Sequence, residues 1–330
     1  MNINDIAKMA EVSRATVSRY LNDGYVSEEK RERIRKVIEE TGYTPSRQAQ
    51  ILRTNKTRVV GVIIPKIDSD SISRMVEGIS SVLSKAGYQL LLANTHNHAR
   101  DELDYLQVLE NYHVDGIILL GTVFSREHKK QLRELETPVV VLAQQLPGFA
   151  CVYNDDYRAA LEMTRYMLDT AKHPGCIGVT HKDKAAGEAR WKGFYDACKK
   201  KHMAWNENAV IEAEFTIESG YEKAAELFAR APETDTLFCA TDRIAYGAVK
   251  YLREQGRKVP EEVQVAGVGD STFSHLMEPE LTTVHYYFHA SGMEAANMLL
   301  ELMDGKEEVV REIRMGHRLE IRQSTRRKEV

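Results

Sequence analysis

The sequence predicts a small all-α amino-terminal module joined to an α/β core of two doubly wound parallel-sheet lobes. Three observations carry this. Apolar residues in the first 45 positions recur at helical spacing, whereas from Val59 short apolar runs alternate with amphipathic stretches. At 330 residues the chain is also too long for one ordinary core.

In the amino-terminal module, Ile3, Ile6, Ala7 and Ala10 fall at i, i+3, i+4 and i+7 and form one apolar stripe. Ser13 is a good N-cap for a second helix, with Val17, Tyr20 and Leu21 facing inward. Its other face carries Arg14, Ala15, Thr16, Ser18 and Arg19, which are cationic, small or hydrogen-bonding. Such a face suits a DNA major groove, where arginine meets guanine edges or phosphate and small residues permit close approach. Helix–turn–helix spacing alone fits a small helical subdomain with a solvated polar face equally well. A third helix fits residues 27–40, capped by Ser27 and ended at Gly42. Ser46 is placed to cap a helix of under two turns across residues 47–53, too short to persist alone in water.

The formal charge is −4 overall, but it is divided unevenly. Residues 1–58 hold 12 Lys+Arg against 8 Asp+Glu, leaving the remainder acidic, so only the first module is a plausible phosphate binder. Cys151, Cys176, Cys198 and Cys239 lie far apart with no C-x-x-C pair, which reads as buried reduced thiols. No apolar run resembles a secretory signal or a membrane span, and a cytoplasmic protein is expected.

In the core, strands are predicted at Val59–Ile64, Gln89–Ala93, Gly116–Leu120, Val139–Leu142, Cys176–Val179, Leu237–Ala240 and Val263–Val268. Helices fit about 72–86, 101–112, 125–135, 157–171, 187–201, 219–230, 243–255 and 290–303. The alternation implies parallel sheets covered on both faces, with a ligand at the carboxyl ends of the strands.

These segments together resemble the LacI/GalR family of bacterial transcription regulators, and within it the sucrose-type branch. The resemblance rests on Val12-Ser13-x-x-Thr16-Val17-Ser18-Arg19-x-Leu21-Asn22 and Thr41-Gly42-Tyr43-x-Pro45-x-x-x-Ala49-x-x-Leu52. It continues through Val114-Asp115-Gly116, Asn154-Asp155, Arg190-x-x-Gly193-Phe194, Ala240-Thr241-Asp242 and Leu281-Thr282-Thr283-Val284. It implies a headpiece (1–45), a hinge helix and linker (46–58), and a core like that of periplasmic binding proteins. One core lobe would comprise 59–155 plus 286–315, the other 156–285 plus 316–330.

The resemblance further implies that two chains pair on a pseudo-palindromic operator in double-stranded DNA. Arg14 and Ala15 then choose bases, Thr16, Ser18 and Arg19 contact backbone or neighbouring edges, Leu52 beside Ala49 wedges open a minor-groove step, and Asn22 and Arg53 join the DNA-binding set. Glu11 stands where many members have glycine in the turn between the first two helices, which implies some strain there.

A sugar effector is implied between the lobes, an aromatic-rich stretch after Leu281 hinting at a disaccharide. Arg190 matches the residue that grips it, and Phe215 and Phe288 match apolar pocket positions. Gln144, Asp242, Asp70, Ser71 and Asp270 complete the candidate set, although each also suits a cap or a loop-stabilising role. Gly269 precedes Asp270 where the family usually has the ligand-facing aspartate, which leaves Asp270 between effector and scaffold.

No nucleophile–base or paired-carboxylate constellation points to catalysis. His96, His98 and His113 lack metal-ligand spacing, so neither metal nor cofactor is expected. The expectation is a homodimeric repressor released by its ligand; a corepressor-dependent regulator is the alternative.

Overall fold

The computed structural model describes residues 1–22, 24–43, 56–203, 206–305 and 309–327. The chain divides into two units, Met1–Thr57 and Arg58–Val330.

The first unit contains α1 (Ile3–Met9), α2 (Arg14–Tyr20) and α3 (Glu28–Thr41). Asn2 caps α1 in a capping box with Asp5, and Ser13 caps α2 by accepting from the Thr16 N–H. Gly42 ends α3 in the left-handed conformation at φ 61°. Ile6, Ala7, Ala10, Val17, Ile34 and Val37 close over one another as a small core. Glu11 sits at φ 54° between α1 and α2, so a side chain occupies a backbone region that favours glycine.

The second unit begins with β1 (Val59–Ile64), α4 (Asp70–Lys85), β2 (Gln89–Asn94), α5 (Ala99–Asn111) and β3 (Gly116–Leu119). Then come α6 (Arg126–Glu134), β4 (Val139–Leu142), β5 (Cys151–Asn154), α7 (Asp156–Met167) and β6 (Pro174–Gly178). They are followed by α8 (Arg190–Lys200), β7 (Val210–Glu212), α9 (Ile217–Arg230), β8 (Thr236–Cys239) and α10 (Asp242–Glu254). Last are β9 (Gln264–Val268), β10 (Thr282–Tyr286), α11 (Phe288–Met303), β11 (Glu312–Met315) and β12 (His317–Glu320).

One six-stranded sheet runs β11-β5-β4-β3-β1-β2, the other β12-β10-β9-β8-β6-β7. Every pairing is parallel except β10 with β12. The chain passes between sheets at three places: after β5, after β10, and at Gly316 between β11 and β12. α11 therefore returns to pack on α4 of the first lobe. Gly78 and Gly292 permit that contact, since a Cβ on either would lie 2.1 Å from His289 O or Met75 O.

Seven strands follow from apolar runs, whereas twelve form among the described residues. The additional ones are β5, β7, β10, β11 and β12, all of five residues or fewer. Their sequences interleave polar residues that break an apolar run: in β10 the buried Thr282 and Thr283 hydroxyls bond Thr325 and Asp242, whereas β11 is a partly exposed edge strand. All four cysteines are buried and free, and burial raises the Cys198 thiol to about 12. No helix among the described residues is long and apolar enough to cross a membrane.

Candidate functional site

On α2 the polar face is presented outward. Arg14, Ala15 and Arg19 are exposed, Thr16 and Ser18 half-buried, and Val17 anchors the opposite face with no exposed surface. The Ser13 and Thr16 hydroxyls lie 2.9 Å apart, and the Asn22 amide donates to the Ser18 carbonyl, tying down the helix end. Ala49, Leu52 and Arg53 lie outside the described residues.

A cleft of about 520 Å³ opens between the core lobes. Its floor is built around Arg190, the first residue of α8. Asp183 accepts from the Ala185 and Ala186 N–H groups at 2.9 Å each and so caps a π-helical turn, Lys184–Ala189, that delivers Arg190 into the cleft. Arg190 Nε donates to Asp156 Oδ1 at 2.7 Å and its Nη1 to the Ala240 carbonyl. The buried Tyr286 hydroxyl donates to the same Asp156 oxygen at 2.9 Å. Burial opposes the guanidinium charge, yet the Asp156 carboxylate more than offsets this and holds its pKa above the ordinary value.

Gln144, from the first lobe, donates to the Thr122 carbonyl and to Asp183 Oδ1 at 3.2 Å. Burial is the main cause that raises the Asp183 carboxyl to about 6. Asn154, at the end of β5, lines the same cavity with a buried Oδ1 that has no hydrogen-bond partner. Phe215 and Phe288 supply apolar surface to the cleft. Lys66 Nζ lies 5.3 Å from the Phe215 ring centre, and the Arg74 guanidinium 5.6 Å from that of Phe288.

The remaining sequence candidates divide. Asp70 and Ser71 line the rim; Asp70 lies 3.7 Å from Arg74, and the Ser71 hydroxyl pairs with that of Ser69 at 3.0 Å. Asp242 also lines the cleft, but its carboxylate accepts from the Ser271 N–H, the Ser274 hydroxyl and the Thr283 hydroxyl. Its acceptors thus organise the 271–274 loop, and burial raises its carboxyl.

Asp270 takes a different place from the one a ligand contact requires. Held at φ 50°, its side chain is 8% exposed and turned to Arg322, at 2.5 Å, and His285, at 2.7 Å. It does not line the cavity. Burial opposes its charge, but hydrogen bonds from Arg322 and His285 hold its carboxyl below the usual range. Asp270, His285 and Glu320 offer ligand atoms within 4.8 Å of one another. The Arg322 guanidinium already contacts Asp270 and lies 3.9 Å from Glu320, so positive charge fills the place a cation would take.

Lys66, Asp68, Asn154, Asp156, Asp183 and Arg243 also line the cleft but were not singled out from the sequence. Asp156 and Asn154 had a usable signal, as they end and follow an apolar run beside Asp155. Lys66, Asp68 and Arg243 had none.

Residues 2–46 match the model for bacterial regulatory proteins of the lacI family, and residues 170–325 match a periplasmic binding protein-like domain. The transcriptional regulator TreR of Salmonella typhimurium is 31% identical over 308 residues, 93% of this chain and 95% of that protein. The sucrose operon repressor of Staphylococcus xylosus is 29% identical over 304 residues, 92% and 93% of the two chains. Among solved structures, a complex of the regulator CelR with cellobiose superposes with a TM-score of 0.76 at 28% identity, covering 98% of this chain and 99% of that one. A lac repressor dimer bound to operator and an anti-inducer shares the fold, with a TM-score of 0.91 at 20% identity over 98% and 99% of the chains.

Proposed function

Because this chain belongs to the LacI family of bacterial regulatory proteins, we propose that it is a sugar-responsive transcriptional repressor acting on operator DNA in the cytoplasm. It is a DNA-binding regulator and not an enzyme. The observation that carries the reading is one chain joining a capped helix with an exposed Arg14/Ala15/Arg19 face to a cleft built around a half-neutralised arginine. Arg14 and Ala15 read base edges, while Thr16, Ser18, Arg19 and Asn22 hold backbone or adjacent edges. Ala49, Leu52 and Arg53 are assigned to the centre of the operator.

In the cleft, the guanidinium hydrogens of Arg190 not spent on Asp156 and Ala240 donate to sugar hydroxyls. Asn154 Oδ1 accepts one, and Phe215 and Phe288 take the C–H faces of the rings. Gln144, Asp70 and Ser71 lie within the same lining, and Asp242 positions the loop beside it. The volume lies within the usual range for small-molecule sites, roughly 300–1,000 Å³, which suits a disaccharide. The CelR–cellobiose complex, a disaccharide held by a similar protein, supports this.

Apolar surface left uncovered on both lobes supports a homodimer. Leu91 (42% exposed) and Leu92 (36%) lie on β2, an edge strand, and Leu276 (74%) stands out from the second lobe. Ligand then shifts the lobes, and the change reaches the headpiece through the chain that joins it to the core. Binding at the two sites is then coupled, so effector and operator oppose each other.

The test selects an operator from random duplexes, then titrates trehalose, sucrose and cellobiose into the complex. Release by one of them is expected. Tighter DNA binding would replace this reading with the corepressor one, and a monomer by light scattering at micromolar concentration would remove the dimer.

A further inference from the structure

The loop between β1 and α4, residues 65–69, makes two cross-cleft contacts that require no ligand. Arg243, in the first turn of α10, donates Nη1 to Asp68 Oδ2 at 3.1 Å and Nη2 to the Asp68 carbonyl at 2.9 Å. Lys66 Nζ donates to the Phe215 carbonyl at 3.2 Å. Lys66 and Asp68 belong to one lobe, Phe215 and Arg243 to the other, and all four line the cavity. Two more cross-lobe bonds, Arg74 to the Asp270 carbonyl and Gln144 to Asp183, involve half-buried or buried groups.

We propose that residues 65–69 form a strap whose Asp68–Arg243 clasp bridges the two lobes across the cleft, so that effector enters and leaves only when the clasp opens. The proposal rests on the cleft being the effector site. Its physical basis is a fork geometry: a single guanidinium grips both side chain and backbone of one residue, which fixes the strap's path as well as its end. Asp68 and Arg243 side chains are 65% and 38% exposed, and exposed ion pairs bind weakly. The clasp therefore acts as a gate that opens often, and its loss leaves folding intact.

The two-pronged grip makes a specific prediction. Asp68→Ala removes only the carboxylate prong, whereas Arg243→Ala removes both. The four native cysteines are buried, so spin labels can be placed at Ser84→Cys and Glu222→Cys, one exposed site on each lobe. In the ligand-free chain, electron–electron distance measurements should give one dominant population. Arg243→Ala should increase the share of a second, displaced population by about two- to five-fold, Asp68→Ala by less, and the double variant by the same amount as Arg243→Ala. Equal distributions in all four chains would overturn the clasp, and strictly additive effects would overturn the shared grip. Neither outcome depends on the effector's identity, so failure here is separable from failure of the functional reading.

Discussion

Arg190 and Asp156 meet at 2.7 Å at the floor of the interlobe cleft, with side chains 11% and 4% exposed. Each comes from the start of a helix in the second lobe, and the Tyr286 hydroxyl, from a crossover strand, closes on the same carboxylate oxygen. The pair therefore ties the strands that change lobes to the group that would grip a ligand.

Removing one partner of a buried pair leaves the other charge uncompensated. Asp156→Ala should lower core stability by about 3 kcal/mol, measured by urea unfolding. It should also abolish sugar-dependent release from operator.

Asn154 presents the opposite balance. Its buried Oδ1 has no partner among the described residues, so Asn154→Ala should cost less than about 1 kcal/mol of stability. The sugar concentration for half-release should nevertheless rise by about tenfold or more, because a ligand hydroxyl loses its acceptor. A fluorescence titration of the operator complex reads this.

Asp183 imposes a pH dependence. Its carboxyl is raised from an ordinary 3.8 to about 6, so between those values the native chain holds a proton the unfolded chain has lost. Stability from this group is therefore greatest below the unfolded pKa and falls as pH rises through about 6. Asp183→Asn, which retains an acceptor for the Ala185 and Ala186 N–H groups, should flatten that slope in urea midpoints recorded from pH 4 to 7.

Glu11 holds a positive φ, and its ion pair with Arg33, at 3.8 Å, is exposed. Glu11→Gly should stabilise the headpiece by about 1 kcal/mol. Native-state hydrogen exchange should then show about fivefold greater protection across α1–α3.

On α2, Arg14→Ala should cost about 1–3 kcal/mol of operator binding and relax base preference at one position. Arg19→Ala should weaken binding to all duplexes alike and reduce the salt slope by about one. Anisotropy titrations over a range of salt separate the two.

The headpiece was legible almost residue by residue. Ser13 caps as its type and position indicate, and Ile6, Ala7, Ala10 and Val17 are buried where the helical stripe puts them. The strain at Glu11 was legible only through the resemblance, which places glycine at that position; the structure holds it at φ 54°. In the core, β1 and β3 announce themselves by apolar runs, whereas β10 is just as buried but carries threonines whose hydroxyls find distant partners, and β12 is an edge strand set by its pairing to β10.

The candidate site was legible only where a side chain's role follows from its own neighbourhood in the chain. Arg190, Phe215, Phe288 and Gln144 all line the cleft, but Asp270 turned inward because Arg322, 52 residues later, reaches its carboxylate. Asp68 and Arg243 are 175 residues apart, and nothing local in either distinguishes a cross-lobe partner from a solvated surface charge.

By itself the sequence determined the helical headpiece, the alternating α/β core and the residue types available to each, because these follow from periodicity, capping and burial within a few turns of chain. Only the tertiary structure decided which acids are spent on scaffold, which acceptor stays unpaired, and which charges meet across the cleft. Those are outcomes of long-range proximity: the same carboxylate is a ligand group, a loop anchor or a clasp according to which distant donor the fold brings within 3 Å.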